Sequence, residues 1–206
     1  VDQEKWEKAY RGVERDLGGR MRKIRRFDLG RAELRILDLG CGDGIDLEAF
    51  RRLGYAEVIG VDLAHSLLRE LDRRRFRVFN ADIYALGMKD ASCDVVYGNN
   101  VLHHFVELDR ALGEIRRVLR RGGLFCFAEP HRTLFRSLVD CVTLSPLARL
   151  APSLAHRRVI LEEEMADYRQ WLEGQGRLHE RLARQGFELV ACVRGVFRLF
   201  GKWRAV

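Results

Sequence analysis

The stretch Ile36-Leu37-Asp38-Leu39-Gly40-Cys41-Gly42-Asp43-Gly44 sets an acid and three alternating glycines at the end of an apolar run. Behind it, Ile45 to Gly54 reads as a helix closed by Gly54. A strand, a glycine turn and a helix N-terminus form the unit that seats nucleotide-like cofactors at the carboxyl edge of a parallel sheet. Glycine suits the turn because it accepts unusual backbone angles and lets a ligand approach the main chain. The dinucleotide fingerprint G-x-G-x-x-G does not fit, since counting from Gly40 its last glycine falls on Ile45.

Further polar residues recur at the ends of apolar runs. Asp62 closes Ala56–Asp62, Asp82 closes Phe76–Asp82, and Asn99 comes near the end of Cys93–Asn100. Two carboxylate oxygens suit a vicinal diol, such as a ribose. Each acid could equally cap the following helix. Val101-Leu102-His103-His104-Phe105 follows, and a histidine there could take a proton near neutral pH. Packing and loop hydrogen bonding are the alternative for both rings. Glu129 and His131, at the end of the fifth apolar run, are candidates of the same kind. Two histidines with no third ligand in view make a poor metal site, so none is expected.

Strands must carry these residues to one edge. Helical residues 65 to 74 follow the second strand. A clean amphipathic stripe (Leu108, Ala111, Leu112, Ile115, Val118, Leu119) precedes Gly122-Gly123, the expected helix stop, and the strand Leu124–Glu129. Alternating strands and helices require parallel pairing with right-handed crossovers. Residues 131 to 175 break the pattern with an apolar, Pro-interrupted helical excursion. A helix over 177 to 185 leads to strands 187–193 and 196–203, whose short link Arg194-Gly195 demands an antiparallel hairpin. At the start, residues 3 to 27 carry helical spacings, with Gly18-Gly19 as the expected break between a pair of short helices. Their basic cluster Arg22, Lys23, Arg25, Arg26 reads as a solvated face.

Asp-x-Gly-x-Gly-x-Gly followed by strand-end acids resembles the class I S-adenosylmethionine (SAM)-dependent methyltransferases, over roughly residues 30 to 203. The resemblance implies an α/β, doubly wound, mostly parallel seven-stranded sheet in the order 3-2-1-4-5-7-6, its last strand antiparallel, with helices on both faces. It implies one domain over 1–206, with a helical cap at 1–30 and a helical lid at 131–175. It places Asp38, Gly40, Cys41, Gly42 and Gly44 against the methionine and ribose of SAM, Asp62 on the ribose hydroxyls and Leu63 on the adenine. Asp82 and Ile83 would meet the adenine edge and ring, and Asn99 would line the methionine end. SAM carries an ammonium, for which Asp38 is apt, where a pyrophosphate would be repelled. His103 or His104 would be the base if the acceptor arrives protonated. The reading is methyl transfer by in-line displacement to a small-molecule acceptor. RNA or protein is the alternative acceptor. Asp62 alone also fits a nicotinamide oxidoreductase, and a non-catalytic methyltransferase-like subunit is a further alternative.

With 206 residues, 47% of them hydrophobic, the chain can bury a substantial core. No apolar run reaches the roughly 20 residues of a membrane span, and the polar N-terminus is unlike a signal peptide. Five cysteines without a C-x-x-C pair read as buried hydrophobes in a reducing compartment, so a cytoplasmic location is expected. The net charge of +7 is scattered among acids and carried by arginine, which makes nucleic acid an unlikely partner without excluding it.

Overall fold

In the computed structural model, residues 16–30, 32–145 and 152–206 are described. In chain order the elements are α1 (Leu17–Arg25), β1 (Ile36–Leu39), α2 (Ile45–Arg52), β2 (Val58–Asp62), α3 (His65–Arg69) and β3 (Arg77–Asn80). Then come β4 (Cys93–Asn99), a 3-10 turn (Leu102–His104), α4 (Leu108–Val118) and β5 (Leu119–Pro130). The excursion holds α5 (Leu134–Leu144) and α6 (Pro152–Gly174), followed by a 3-10 turn (Gln175–Arg177), α7 (Leu178–Arg184), β6 (Phe187–Arg194) and β7 (Arg198–Ala205). One seven-stranded sheet runs β3-β2-β1-β4-β5-β7-β6, as expected. The first five strands pair in parallel, and β7 is antiparallel to both β5 and β6.

Strand side chains alternate between faces, and the two faces differ. Leu37, Leu39, Val96, Phe125, Phe127, Leu199 and Trp203 pack with α4 and α7. Ile36, Val95, Tyr97, Cys126 and Ala128 pack with α1 and α2 on the other face. There the Tyr97 ring is edge-on to Phe50 at 5.1 Å and to Phe27 at 5.9 Å. The same alternation carries Asp38, Asn99 and Arg198 to the α1/α2 face and Glu129 to the opposite one.

Several expected boundaries move. Gly122-Gly123 does not stop α4: Leu119 is already extended and pairs with Cys93, while the next paired residue, Val95, meets Leu124. The glycines belong to a bulge in β5, where a Cβ on Gly123 would lie 2.9 Å from the Arg120 carbonyl oxygen. α3 is a short helix rather than one reaching residue 74, and β3 ends at Asn80, two residues before Asp82. Gly18 and Gly19 stand inside the first turn of α1, whose N-cap Asp16 accepts from the Gly19 amide. Trp6, Ala9, Tyr10 and Val13 lie outside the described residues, as do Pro146, Leu147 and Leu150.

Candidate active site

The glycine turn is shaped from within the protein. Gly40, Gly42 and Gly44 all have positive φ, a region costly for other residues. A Cβ on Gly40 would come within 2.6 Å of Val101, and one on Gly44 within 2.9 Å of Leu71. At these two positions the protein's own side chains occupy the space a Cβ needs, so ligand approach is not the only demand on glycine. Cys41 is buried, and burial pushes its thiol well above the usual range, which makes it a packing residue.

Asp62 ties the second strand to this turn. One oxygen accepts from the Gly42 amide at 2.7 Å and the other from the Ala64 amide at 2.8 Å. Each oxygen keeps a second lone pair. Burial raises the carboxyl pKa, opposed by those two amides. Leu63 beside it is 69% exposed. Asn80 donates to the carbonyls of Asp62 and Leu63, both at 2.9 Å, and so fixes the strand end. Asp82 is exposed in the turn after β3, where it accepts from the Tyr84 amide at 2.9 Å. Ile83 packs against the main core.

On the α1/α2 face the polar residues converge. Asn99 donates to Asp46 at 3.0 Å, and Arg20 of α1 donates to the same oxygen at 3.1 Å. Four buried oxygens in this cluster have no hydrogen-bond partner among the described residues: Asp38 Oδ2, Asp46 Oδ1, Asn99 Oδ1 and the Tyr97 hydroxyl. Burial raises the Asp38 pKa well above the carboxylate range, and the Asp46 charge adds to it. Burial likewise raises Asp46, against the pull of Arg20. Buried polar atoms are normally satisfied, so four together could hold a donor-rich cation. An ammonium, with three N–H donors and no acceptor, fits it.

Lys23 borders this cluster, contrary to the solvated face expected of it. It is half-buried, and burial, followed by Arg198 and Arg20, lowers its pKa to about 8. Arg22, Arg25 and Arg26 of the same helix are exposed. Buried acceptors and a cationic side chain therefore adjoin, an arrangement that could hold an amino-acid zwitterion. A dinucleotide would bring a pyrophosphate, and buried acids repel one.

The two adjacent histidines have different surroundings. His103 is buried, its Nδ1 is 2.7 Å from Glu129 Oε2, and the other Glu129 oxygen accepts from the amides of Val101 and Leu102. Glu129 is 0% exposed and spends both oxygens on this loop. His104 lies 3.6 Å from Asp167 of α6, and its charge would lower the Asp62 pKa, so it stands near Asp62. His131 turns away to the hairpin, its Nδ1 2.7 Å from the Gly195 carbonyl oxygen. Among the described residues, no group of three or more metal-ligating side chains occurs.

Leu134, Phe135, Leu138 and Val142 are exposed. A cavity of about 310 Å³ lies between the sheet and the end of α6, lined by Phe127, Leu172, Leu199 and Trp203 with the charged Arg132, Glu173 and Arg194.

Residues 37–127 match the methyltransferase-domain family. The malonyl-[acyl-carrier protein] O-methyltransferase of Geobacter sulfurreducens is 36% identical over 126 residues, 58% of this chain and 47% of its own. The tRNA (carboxymethyluridine(34)-5-O)-methyltransferase of Macaca fascicularis is 35% identical over 91 residues, 43% of this chain and 13% of its own. A SAM-dependent methyltransferase from Mesorhizobium loti has the same fold, with a TM-score of 0.65 at 18% identity, over 91% of this chain and 99% of that one. Residues 37–127 thus match a methyltransferase domain, and the sheet order gives the whole chain the fold of the class I SAM-dependent methyltransferases. They are enzymes, and their cofactor is S-adenosyl-L-methionine. The chain spans less than half the length of the curated relatives it matches. Among the described residues, no helix is long and apolar enough to cross a membrane.

Proposed function

We propose that this chain transfers the SAM methyl group to a small-molecule acceptor, held at the carboxyl edge between the glycine turn and α6. The observation that carries the cofactor half is the set of four unpartnered oxygens beside Lys23 and Arg20. Asp38, Asp46 and Asn99 would accept from the methionine ammonium, and Lys23 would face its carboxylate. Asp62 would take the ribose hydroxyls on its remaining lone pairs, and Leu63 would lie under the adenine. Asp82 and Ile83 are the least supported of the set, because one caps its own turn and the other faces the core.

The cofactor supplies an activated methyl on a good leaving group, so the protein's task is mainly alignment. Glu129 holds the backbone of Val101 and Leu102, and with it the loop that closes over Gly40. His104 is better placed than His103 to receive a proton from an acceptor hydroxyl, because its ring is partly exposed while the His103 ring is buried with its Nδ1 on Glu129. α6 lies over this loop through Asp167 and His104 and acts as the lid. The small-molecule reading draws on that enclosure.

The test is titration with S-adenosylhomocysteine (SAH). A carboxylate docking on Lys23 raises its pKa from about 8. The complex then holds more protons than the free protein, so affinity falls as pH rises from about 8 towards 10. Titrations in buffers of different ionisation enthalpy should show proton uptake near pH 8, and Lys23→Met should abolish it. Uptake unchanged in that variant would remove Lys23 from the site. A second expectation concerns the base. With a hydroxyl acceptor, His104→Gln should lower kcat by roughly 10²–10⁴-fold while leaving SAH affinity within a few-fold. If only His103→Gln does this, the roles of the two rings are reversed.

A further inference from the structure

Arg198 stands at the sheet's carboxyl edge without a counter-ion. It opens β7 opposite Pro130, the last residue of β5, and its side chain lies on the α1/α2 face. It is half-buried, and its one hydrogen-bond partner among the described residues is the Asn100 side-chain oxygen. Among the described residues, no carboxylate forms an ion pair with it. A guanidinium carries five N–H donors and keeps its charge in a protein. Burial lowers the Arg198 pKa, Glu129 opposes this from a distance, and Arg136 and Arg20 add to the lowering. Glu129 is not the missing partner, because its oxygens serve Val101, Leu102 and His103. Charges withdrawn from water are ordinarily paired, since their desolvation is otherwise not offset.

Asn100 holds Arg198 beside the cofactor groove. β4 ends at Asn99, and Asn100 turns left-handed at φ 58° while its amide donates to the Ala128 carbonyl at 3.0 Å. Asparagine tolerates that region better than most residues. Adjacent side chains thereby reach separate partners: Asn99 donates to Asp46 at 3.0 Å, and Asn100 accepts from Arg198. Lys23 of α1 is close enough for the Arg198 charge to help lower its pKa, after burial.

The charges of the proposed cofactor complex do not balance. Arg20 is paired with Asp46. Asp38 would take the methionine ammonium, and Lys23 the methionine carboxylate. Arg198 and the sulfonium then remain, both positive, with no anion for either.

We infer that Arg198 binds the methyl acceptor, and that the acceptor carries a carboxylate or a phosphate held by this guanidinium beside the methionine end of SAM. Arginine suits either anion, because its planar fork donates two parallel hydrogen bonds. Asn100 is a positioning residue here: it fixes one nitrogen of the fork and leaves the other donors for the anion. The inference deepens the small-molecule reading and rests on the cofactor placement given above.

The experiment is an amide chemical-shift titration of the SAH-loaded chain with benzoate, phenyl phosphate and neutral benzamide, which set three head groups on one ring. At least one anion should shift the Asn100 and Arg198 amides saturably, about ten-fold or more tighter than benzamide. The tighter of the two identifies the acceptor's anion. Arg198→Gln keeps a donor for Asn100 and removes the charge, so anion affinity should fall roughly ten- to a hundred-fold. Arg198→Lys keeps the charge without the fork and should fall between. SAH affinity should stay within a few-fold in both variants. Three results would each overturn the inference: anions that bind no better than benzamide; anion affinity unchanged in Arg198→Gln; or benzoate that displaces SAH, with SAH affinity about ten-fold lower in that variant. The last would make Arg198 the partner of the cofactor's own carboxylate. If SAH does not bind the unaltered chain, the cofactor reading fails instead, and titration of the free chain decides Arg198 by the first two results.

Discussion

Asp62→Ala should lower SAH affinity roughly ten- to a hundred-fold, because a hydrogen bond to a charged group is worth about 1.5–3 kcal/mol. The loss has two sources. The ribose loses its acceptor, and the Gly42 amide loses the oxygen that holds it at 2.7 Å. Asp62→Asn separates them, since it keeps one carbonyl oxygen for the turn and gives up the charge. The alanine variant should therefore bind more weakly than the asparagine variant, and both more weakly than the unaltered chain. Calorimetric titration of the three proteins decides it. Equal affinity across all three would remove Asp62 from the cofactor site and leave it as the cap of the Gly42 and Ala64 amides.

Glu129→Ala should be the most destabilising single change at this edge. It strands the amides of Val101 and Leu102 and the ring of His103, all of which depend on one carboxylate that is 0% exposed. Breaking a buried pair of this kind costs about 3–5 kcal/mol. For a domain of this size that corresponds to a melting temperature lower by roughly 6–20 °C. Glu129→Gln keeps one acceptor oxygen and should recover some of the loss. A melting temperature within a degree or two of the original in the alanine variant would show that water replaces the carboxylate, and that Glu129 does not hold the loop.

Much of the fold is written locally. The Asp-x-Gly-x-Gly-x-Gly turn, the α4 stripe and the two-residue link at Arg194-Gly195 each depend on neighbours in the chain. The sheet order comes with the family resemblance, and the observed order agrees. Asp38, Asp62 and Asn99 are legible as ligand candidates because each stands at or beside the end of a strand. Asp46 is not. It sits in an unremarkable helix turn, and its importance comes from Arg20 and Asn99, which lie 26 and 53 residues away. Lys23 escapes for the same reason: a basic run looks solvated until the partners across the sheet are known. The α5 leucines show a different limit. Their composition says that they avoid water, but not which surface relieves them, and the structure turns them outward. Gly122 and Gly123 mislead because a bulge and a helix stop demand the same backbone freedom.

The four unpartnered oxygens have a consequence for the ligand-free protein. Asp38 and Asp46 both have raised pKa values, so folding is favoured while they stay protonated. That stability drains away as pH rises past the ordinary carboxylate range. At neutral pH these two buried carboxyls therefore weigh against folding, and a bound ammonium would offset that cost. A ligand at a hundred times its Kd adds about 2.7 kcal/mol to a domain's stability. The lifetime of this chain under proteolysis should accordingly follow the supply of SAM and SAH, so that depletion of the cofactor thins out the protein as well as slowing it.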